Sequence, residues 1–402
     1  MTAKIMRAVA VVLIPVFSVG IFTEAVLTAP EGRHWTWYFI PLLLLAYGGL
    51  RFLPFLLAAS FPALRVAGNR RIGNRRNHSA FSLIQHRIPM LLGLAVLALT
   101  ACQPELPAPM RIGMHVWPGF EPLFLARQAG SLNEKDFRLV EFSDGSEVGR
   151  AFRNGTVEAV CLTLDEVFYL VQNGTDPVIL LVLDESRGAD VVLARPGIKS
   201  LAELKGKRVA VEVSAVETYT LTRALQHAGL TVKDVTPVYL PMEKHLEAFQ
   251  SGVVDAMVTY EPMRTKLLAL GAVDVFNSSQ MPGEIVDVLV VHRDYLEKHP
   301  ERGVALRQAW FAALAQVRQS PHESAKFMAV REQVTAEEFE VSLQGLHFPD
   351  EQESRVLLEG TAPKLLESAE RLKTVMRDSG LLQQDIPLKP IFTLPGAVKP
   401  KP

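Results

Sequence analysis

The sequence predicts an α/β protein in two lobes, preceded by a hydrophobic membrane or signal region. Three observations carry this. Short apolar strands alternate with glycine-stopped helical segments from Arg111 onward. The alternation restarts after Pro196, as a second cycle of the same kind. Charge and hydropathy also change abruptly near Cys102. Residues 1–101 hold ten Lys/Arg against two acids (Glu24, Glu31), and the remaining 301 residues hold 32 Lys/Arg against 41 acids.

The apolar region comes first. Residues 7–28 are long enough to cross a bilayer. Residues 36–64 form a second apolar stretch, broken by Arg51, Pro54 and Pro62. Arg65, Arg70, Arg71, Arg75, Arg76 and Arg87 follow without an acid, which places that loop on the cytoplasmic side. Met90–Ala101 is twelve residues, too short for an ordinary span and the right length for a signal-peptide core. It ends Leu99-Thr100-Ala101-Cys102, which resembles the lipobox of bacterial lipoproteins. That resemblance implies lipidation of Cys102 and cleavage before it. Two readings of residues 1–68 stay open: a membrane hairpin ahead of the export signal, or an over-extended start. Residues 69–101 are then the Arg-rich region and signal core, and 102–109 a Pro-rich tether.

Next, the strands and helices of the first cycle follow in order. Strands are expected at Arg111–Val116, Phe137–Phe142, Val157–Leu162 and Val178–Leu183. Helices are expected at Phe120–Ala129, Ser146–Arg153 and Asp165–Gln172, stopped by Gly130, Gly155 and Gly174. Another apolar strand, Val191–Ala194, closes the cycle. In the second cycle, strands are expected at Arg208–Glu212, Val235–Leu240, Ala256–Thr259 and Val286–His292. Helices are expected at Leu201–Leu204, Val216–Ala228, His245–Gln250 and Pro262–Leu270. After Tyr295 the pattern is helical, at Arg302–Gln319, Pro321–Ala329, Ala336–Gln344 and Lys364–Ser379. Repeated strand–helix–strand units imply parallel sheets covered by helices. The tail from Asp385 is Pro-rich and expected to pack loosely.

Several function classes lose support. The exported part is acidic and lacks basic runs with interleaved aromatics, which argues against nucleic acid. Two cysteines, Cys102 and Cys161, rule out a four-cysteine zinc site. No HExxH, CxxC, GxSxG or GxxxxGK[ST] occurs, so no nucleophile with its base is nominated. No cofactor and no metal are expected. His115 follows the first strand, and Cys161 sits in an apolar strand as a small hydrophobe.

Polar and aromatic candidates gather at the carboxyl ends of strands, where α/β folds bind ligands. They are Trp117, Phe120 and Glu121; Thr163 and Asp165; Asp184, Ser186 and Asp190; Glu212, Ser214 and Glu217; Tyr260 and Glu261; and Asp287. Helix capping is the competing reading for Ser214 with Glu217, and for Thr163 with Asp165.

The runs WPGFEPLFLARQAG (117–130), NGTVEAVCLTLDEV (154–167), SLAELKGKRVAVE (200–212) and SGVVDAMVTYEP (251–262) resemble the solute-binding proteins of ABC importers. The similar members take nitrate, sulfonate, taurine and thiamine precursors. The resemblance covers residues 110–320. It implies a bilobed type II periplasmic-binding-protein fold, with lobe I at 110–194 and 286–384, lobe II at 195–285, and a Pro-rich tail at 385–402. Crossings at Ala194–Gly197 and Gly283–Asp287 would form the hinge. It also implies a monomer that captures a small molecule and presents it to an ABC permease or a membrane sensor.

The candidate residues are acid-rich, with Arg187 the main cation among them. A nitrate or simple sulfonate would be repelled there, so an amine or N-heterocycle stacked on Trp117, Phe120 or Tyr260 is expected. A taurine or sulfonate binder, a receptor's sensing partner and an enzyme of pyrimidine-precursor synthesis are the alternatives.

Overall fold

The computed structural model describes residues 108–212 and 215–396. The apolar N-terminal segments, the lipobox with Cys102 and the candidate Ser214 lie outside the described residues. Among the described residues no helix is long and apolar enough to cross a membrane.

The first strand–helix units are β1 (Met110–Met114), α1 (Glu121–Gln128), β2 (Phe137–Glu141), α2 (Gly145–Arg153), β3 (Ala159–Thr163), α3 (Leu164–Gln172) and β4 (Pro177–Ser186). The second series is β5 (Val191–Ala194), β6 (Arg208–Val211), α4 (Ala215–His227), β7 (Thr236–Tyr239), α5 (His245–Ser251), β8 (Ala256–Thr259), α6 (Met263–Ala269) and β9 (Val273–Asn277). The chain then returns through β10 (Val286–His292) to helices α7 (Arg293–Lys298), α8 (Pro300–Gln319), α9 (Pro321–Glu332) and α10 (Ala336–Leu343). The short β11 (Leu346–His347), α11 (Glu351–Leu358) and α12 (Lys364–Asp378) follow.

These strands make two sheets, ordered β11-β4-β10-β3-β1-β2 and β7-β6-β8-β5-β9. Both are mixed, where parallel sheets were expected. In the first, β1 runs parallel to β2 and β3, while β10 is antiparallel to β3 and β4. In the second, β6 runs parallel to β7 and β8, while β5 is antiparallel to β8 and β9. The reason is topological. Strands β5 and β10 arrive from the other sheet, so each starts at the edge where its new neighbours end.

The same pairing corrects the lobe boundary. Val191–Ala194 was assigned to the first lobe, but β5 pairs with β8 and β9 in the second sheet. The first crossing is therefore Arg187–Asp190, ahead of the expected Ala194–Gly197, and the second is Ser278–Ile285.

The inner strands β3, β4, β5, β8 and β10 are covered on both faces, which is why they are apolar over most of their length. In β3, Cys161 faces the layer of Met114, Leu289 and Trp310, while Val160 and Leu162 face Phe152, Phe168 and Leu372. In β5, Val192 and Ala194 face one layer of the second lobe, and Val191 and Leu193 the other.

The tail is a second correction. Ile386, Leu388, Ile391, Phe392 and Leu394 are buried, and most of them join the Phe152 and Phe168 layer. Its prolines limit hydrogen bonding without limiting burial.

Candidate functional site

The site grows from the edge where the strands of both sheets end. Register places Asp287, at the start of β10, opposite Thr163 at the end of β3 and opposite Asp184 near the end of β4. These three side chains form a row on one sheet edge. Trp117, three residues past β1, donates from Nε1 to Asp184 Oδ2 at 3.2 Å. The approach needs Gly119, because a Cβ there would stand 1.9 Å from Asp184 Oδ2 and 2.5 Å from Trp117 Nε1.

Thr163 also caps α3. Its N–H donates to Glu166 Oε2 at 3.2 Å, one half of a capping box. Gly145 at the start of α2 leaves room for that carboxylate, since a Cβ there would be 2.2 Å from Glu166 Oε1. The N-terminus of α2 thus packs against the Glu166 carboxyl. Asp165 lies beside Glu166 and is 2% exposed.

The second lobe brings its own strand ends. Glu212 follows β6 and accepts from Met242 N at 3.2 Å, and the Tyr260 hydroxyl lies 3.5 Å from its Oε2. Tyr260, just past β8, meets Trp117 and His115 edge-on, with ring centroids 5.7 and 6.1 Å apart. His115 meets Phe120 in the same way at 5.4 Å. Glu217 on α4 is buried close enough to feel Glu212, Glu166 and Asp190.

The two crossings are fastened to each other beside Asp190. Ser186 Oγ and Ser278 Oγ are 2.8 Å apart, and Ser278 Oγ accepts from Gly188 N at 2.6 Å. Asp190 N donates to Ser186 Oγ at 3.2 Å, and Ser278 N to the Asp190 carbonyl at 2.9 Å.

The electrostatics follow from burial. Asp184, Asp190 and Glu212 are pushed up to about 7, Asp165 to about 6 and Glu166 to about 8, each chiefly by loss of water. Burial raises Asp287 and Glu217 well above the carboxylate range, with neighbouring carboxylates adding to it. Burial lowers His115 to about 4, so it is neutral near pH 7. Nearby cations are committed elsewhere: Arg187 to Glu185, Arg264 to Glu261 and Arg331 to Glu121. Asp165 Oδ2, Asp184 Oδ1, Asp190 Oδ2, Asp287 Oδ2 and His115 Nδ1 are buried without a hydrogen-bond partner in the protein. Unpaired buried polar atoms are costly, and native proteins keep them mainly where function needs them.

The structure brings together Trp117, Phe120, Thr163, Asp165, Asp184, Asp190, Glu212, Glu217, Tyr260 and Asp287. It gives three other candidates structural partners. Glu121 binds Arg331 at 3.0 Å. Glu261 accepts from Thr265 N and Thr265 Oγ1, both at 3.1 Å, at the start of α6. Ser186 holds the crossings. Three contributors were not among the sequence-based site residues: His115, Glu166 and Gly119. Position just past β1 was the available signal for His115, and the Thr-x-x-Glu spacing concealed Glu166 as a cap.

A cavity of about 310 Å³ opens between α2, α3 and the first residue of α4, lined by Arg150, Arg153, Glu166, Tyr169 and Ala215. A larger one, about 500 Å³, is built by β4, the second crossing, α11 and α12, and contains none of the sequence-predicted site residues. Cys161 is a free, buried thiol pushed up by burial. Among the described residues, no group of three or more His, Cys, Asp or Glu is arranged to hold a metal ion.

Residues 103–331 match the model of the NMT1-like family. A protein of Escherichia coli (strain K12) named as an aliphatic sulfonates-binding protein is 28% identical over 224 residues, 54% of this chain and 69% of that one. The taurine-binding periplasmic protein of the same organism is 25% identical over 213 residues, 52% of this chain and 66% of that one. These alignments span about two thirds of the relatives' own length. Among solved structures, the alkanesulfonate-binding protein of Xanthomonas axonopodis pv. citri, bound to MOPS, superposes with a TM-score of 0.61 at 20% identity. The match covers 70% of this chain and 97% of that one, and it shows the shared bilobed fold.

Proposed function

The chain belongs to the NMT1-like family, and from that premise we propose that it is the extracytoplasmic solute-binding lipoprotein of an ABC importer. It captures a small organic cation, an amine or protonated N-heterocycle, between its lobes. The observation that carries this reading is the set of unpartnered carboxylate oxygens on Asp165, Asp184, Asp190 and Asp287, buried beside His115, Trp117 and Tyr260. A cation supplies the missing charge and donors, and the rings take its positive face.

No covalent step is needed. A ligand touching both lobes stabilises the closed arrangement, and a permease reads that state. Lipidation of Cys102 would tether the protein to the membrane it serves.

A specific observation favours a second reading. Arg150 and Arg153 line the outer cavity beside Glu166. A zwitterion such as taurine would direct its sulfonate there and its ammonium to the acids. The test is titration calorimetry of the full chain in detergent with amines, N-heterocycles, taurine and alkanesulfonates. Binding of amines supports the first reading, and binding of taurine or sulfonates without amines replaces it.

A further inference from the structure

The larger cavity, about 500 Å³, has the size of a small-molecule site and shares no residue with the acids of the cleft. Both crossings reach it, Arg187 from the first and Pro282 and Gly283 from the second. Gly283 N donates to Glu185 Oε1 at 2.9 Å. Gly283 also lets α12 close against the crossing, since a Cβ there would stand 3.3 Å from Ser368 Oγ.

The walls differ in character. Val182, Val286 and Leu365 are buried and give an apolar wall. The acids of the lining are engaged within the fold. Glu185 accepts from Arg187 at 2.7 Å and from Gly283 N. Asp350 and Glu353 accept each other's N–H groups in the capping box of α11, and His347 Nε2 stands 3.4 Å from Glu353 Oε2. The cations of α12 are not so engaged. Lys364, Ser368 and Arg371 follow at spacings of four and three, which puts them on one face of that helix. Arg371 donates to Ser368 Oγ at 2.9 Å. Among the described residues neither Arg371 nor Lys364 forms an ion pair, whereas Lys373 and Arg377 on the same helix pair with Glu370 and Asp385.

We infer that this cavity is a second binding site, for a small organic anion with a hydrocarbon body. Its carboxylate or sulfonate head is held by Lys364, Ser368 and Arg371, and its body lies on Val182, Val286 and Leu365. Such a molecule would rest against both crossings, the segments through which the lobes would move. The inference does not depend on the charge of the cleft ligand.

The test is titration calorimetry of the full chain in a non-ionic detergent at pH 7, with hexanoate, hexanesulfonate and hexanol as probes. At least one of the two anions should saturate a site, and at least about tenfold more tightly than hexanol. Lys364→Ala and Arg371→Ala should each weaken that anion at least about tenfold, the loss of one hydrogen bond to a charged group. Arg377→Ala removes the same charge from α12 outside the cavity and should leave the affinity within about threefold. All three side chains are exposed, so the variants should melt with the parent. Anion binding that keeps its affinity in both Lys364→Ala and Arg371→Ala lies elsewhere and overturns the site. An equal loss in Arg377→Ala, hexanol binding as tightly as the anions, or no binding by either anion also overturns it.

Discussion

Asp287 on β10 lies directly opposite Asp184 on β4, and the two carboxyls are 2% and 0% exposed. Neither is in an ion pair with a described Arg or Lys. Two carboxylates cannot both ionise at such a spacing without a cation or a proton between them. In the ligand-free protein a proton shared between them does this, and their hydrogen bond raises Asp287 while it lowers Asp184.

Stability should fall as pH rises. Carboxyls raised in the folded state bind protons that the unfolded chain releases near pH 4. Their contribution is complete below that pH and is lost as pH rises through about 6 to 8, the range of Asp165, Asp184, Asp190, Glu212 and Glu166. His115 and His245, both lowered to about 4 by burial, act the other way, but only below pH 6.5. The ligand-free full chain should thus melt lower at pH 8 than at pH 6.5. Asp184→Asn should reduce that difference. A melting temperature that rises over this interval contradicts the account.

Gly119→Ala should damage binding more than folding. The new Cβ would collide with Asp184 Oδ2 at 1.9 Å. Asp184 must then leave the Trp117 indole. The expected stability cost is about 1–3 kcal/mol, with a loss of ligand affinity of at least about tenfold, roughly one lost hydrogen bond to a charged group. Denaturant melts and calorimetry on the same variant separate the two effects.

Ser278→Ala removes the hydroxyl that joins both crossings. Gly188 N then loses its acceptor, and Ser186 Oγ keeps only the Asp190 N–H. The expected cost is about 1–3 kcal/mol, read by urea denaturation. Ser279→Ala, one residue on and with its hydroxyl exposed on Asn277, should cost under about 0.5 kcal/mol.

Ile391→Ala tests whether the Pro-rich tail belongs to the core. Ile391 is 1% exposed in the layer of Phe152 and Phe168. Its truncation should cost about 2–5 kcal/mol. A loosely attached tail would show no change in the urea midpoint.

Local chemistry made much of this fold legible. The helices ending at Gly155 and Gly252 stop where the glycines adopt φ of +66° and +74°, a backbone that other residues resist. Short continuous apolar runs marked β3, β4 and β10. What local sequence does not encode is the partner of a strand. Val191–Ala194 reads as an apolar strand, but only the crossing geometry assigns it to the second sheet. Val273–Asn277 escaped notice because this edge strand is half exposed and carries Asp274, so its apolar signal is weak. The tail misled through composition, since proline content says nothing about the faces of Ile391 and Phe392.

The geometry of the candidate site was legible in part. Strand ends drew attention to Asp184, Glu212, Tyr260 and Asp287, and the structure gathers them. Glu261 carried the same signal but caps α6. A cap and a ligand contact use the same residue types at the same strand–helix junctions. Sequence cannot separate them without knowing which way the carboxylate turns. His115 gave only its position, and its neutrality comes from burial, to which Tyr260 contributes from the second lobe.

The central claim is that the cleft between the lobes is a cation site. Titration calorimetry of the full chain with amines against taurine and alkanesulfonates, at pH 6 and pH 8, tests it most directly. The account predicts that an amine binds, and that it binds more tightly at pH 8, where it no longer competes with protons on the buried acids. A sulfonate that binds without any amine, and more tightly at pH 6, would contradict it.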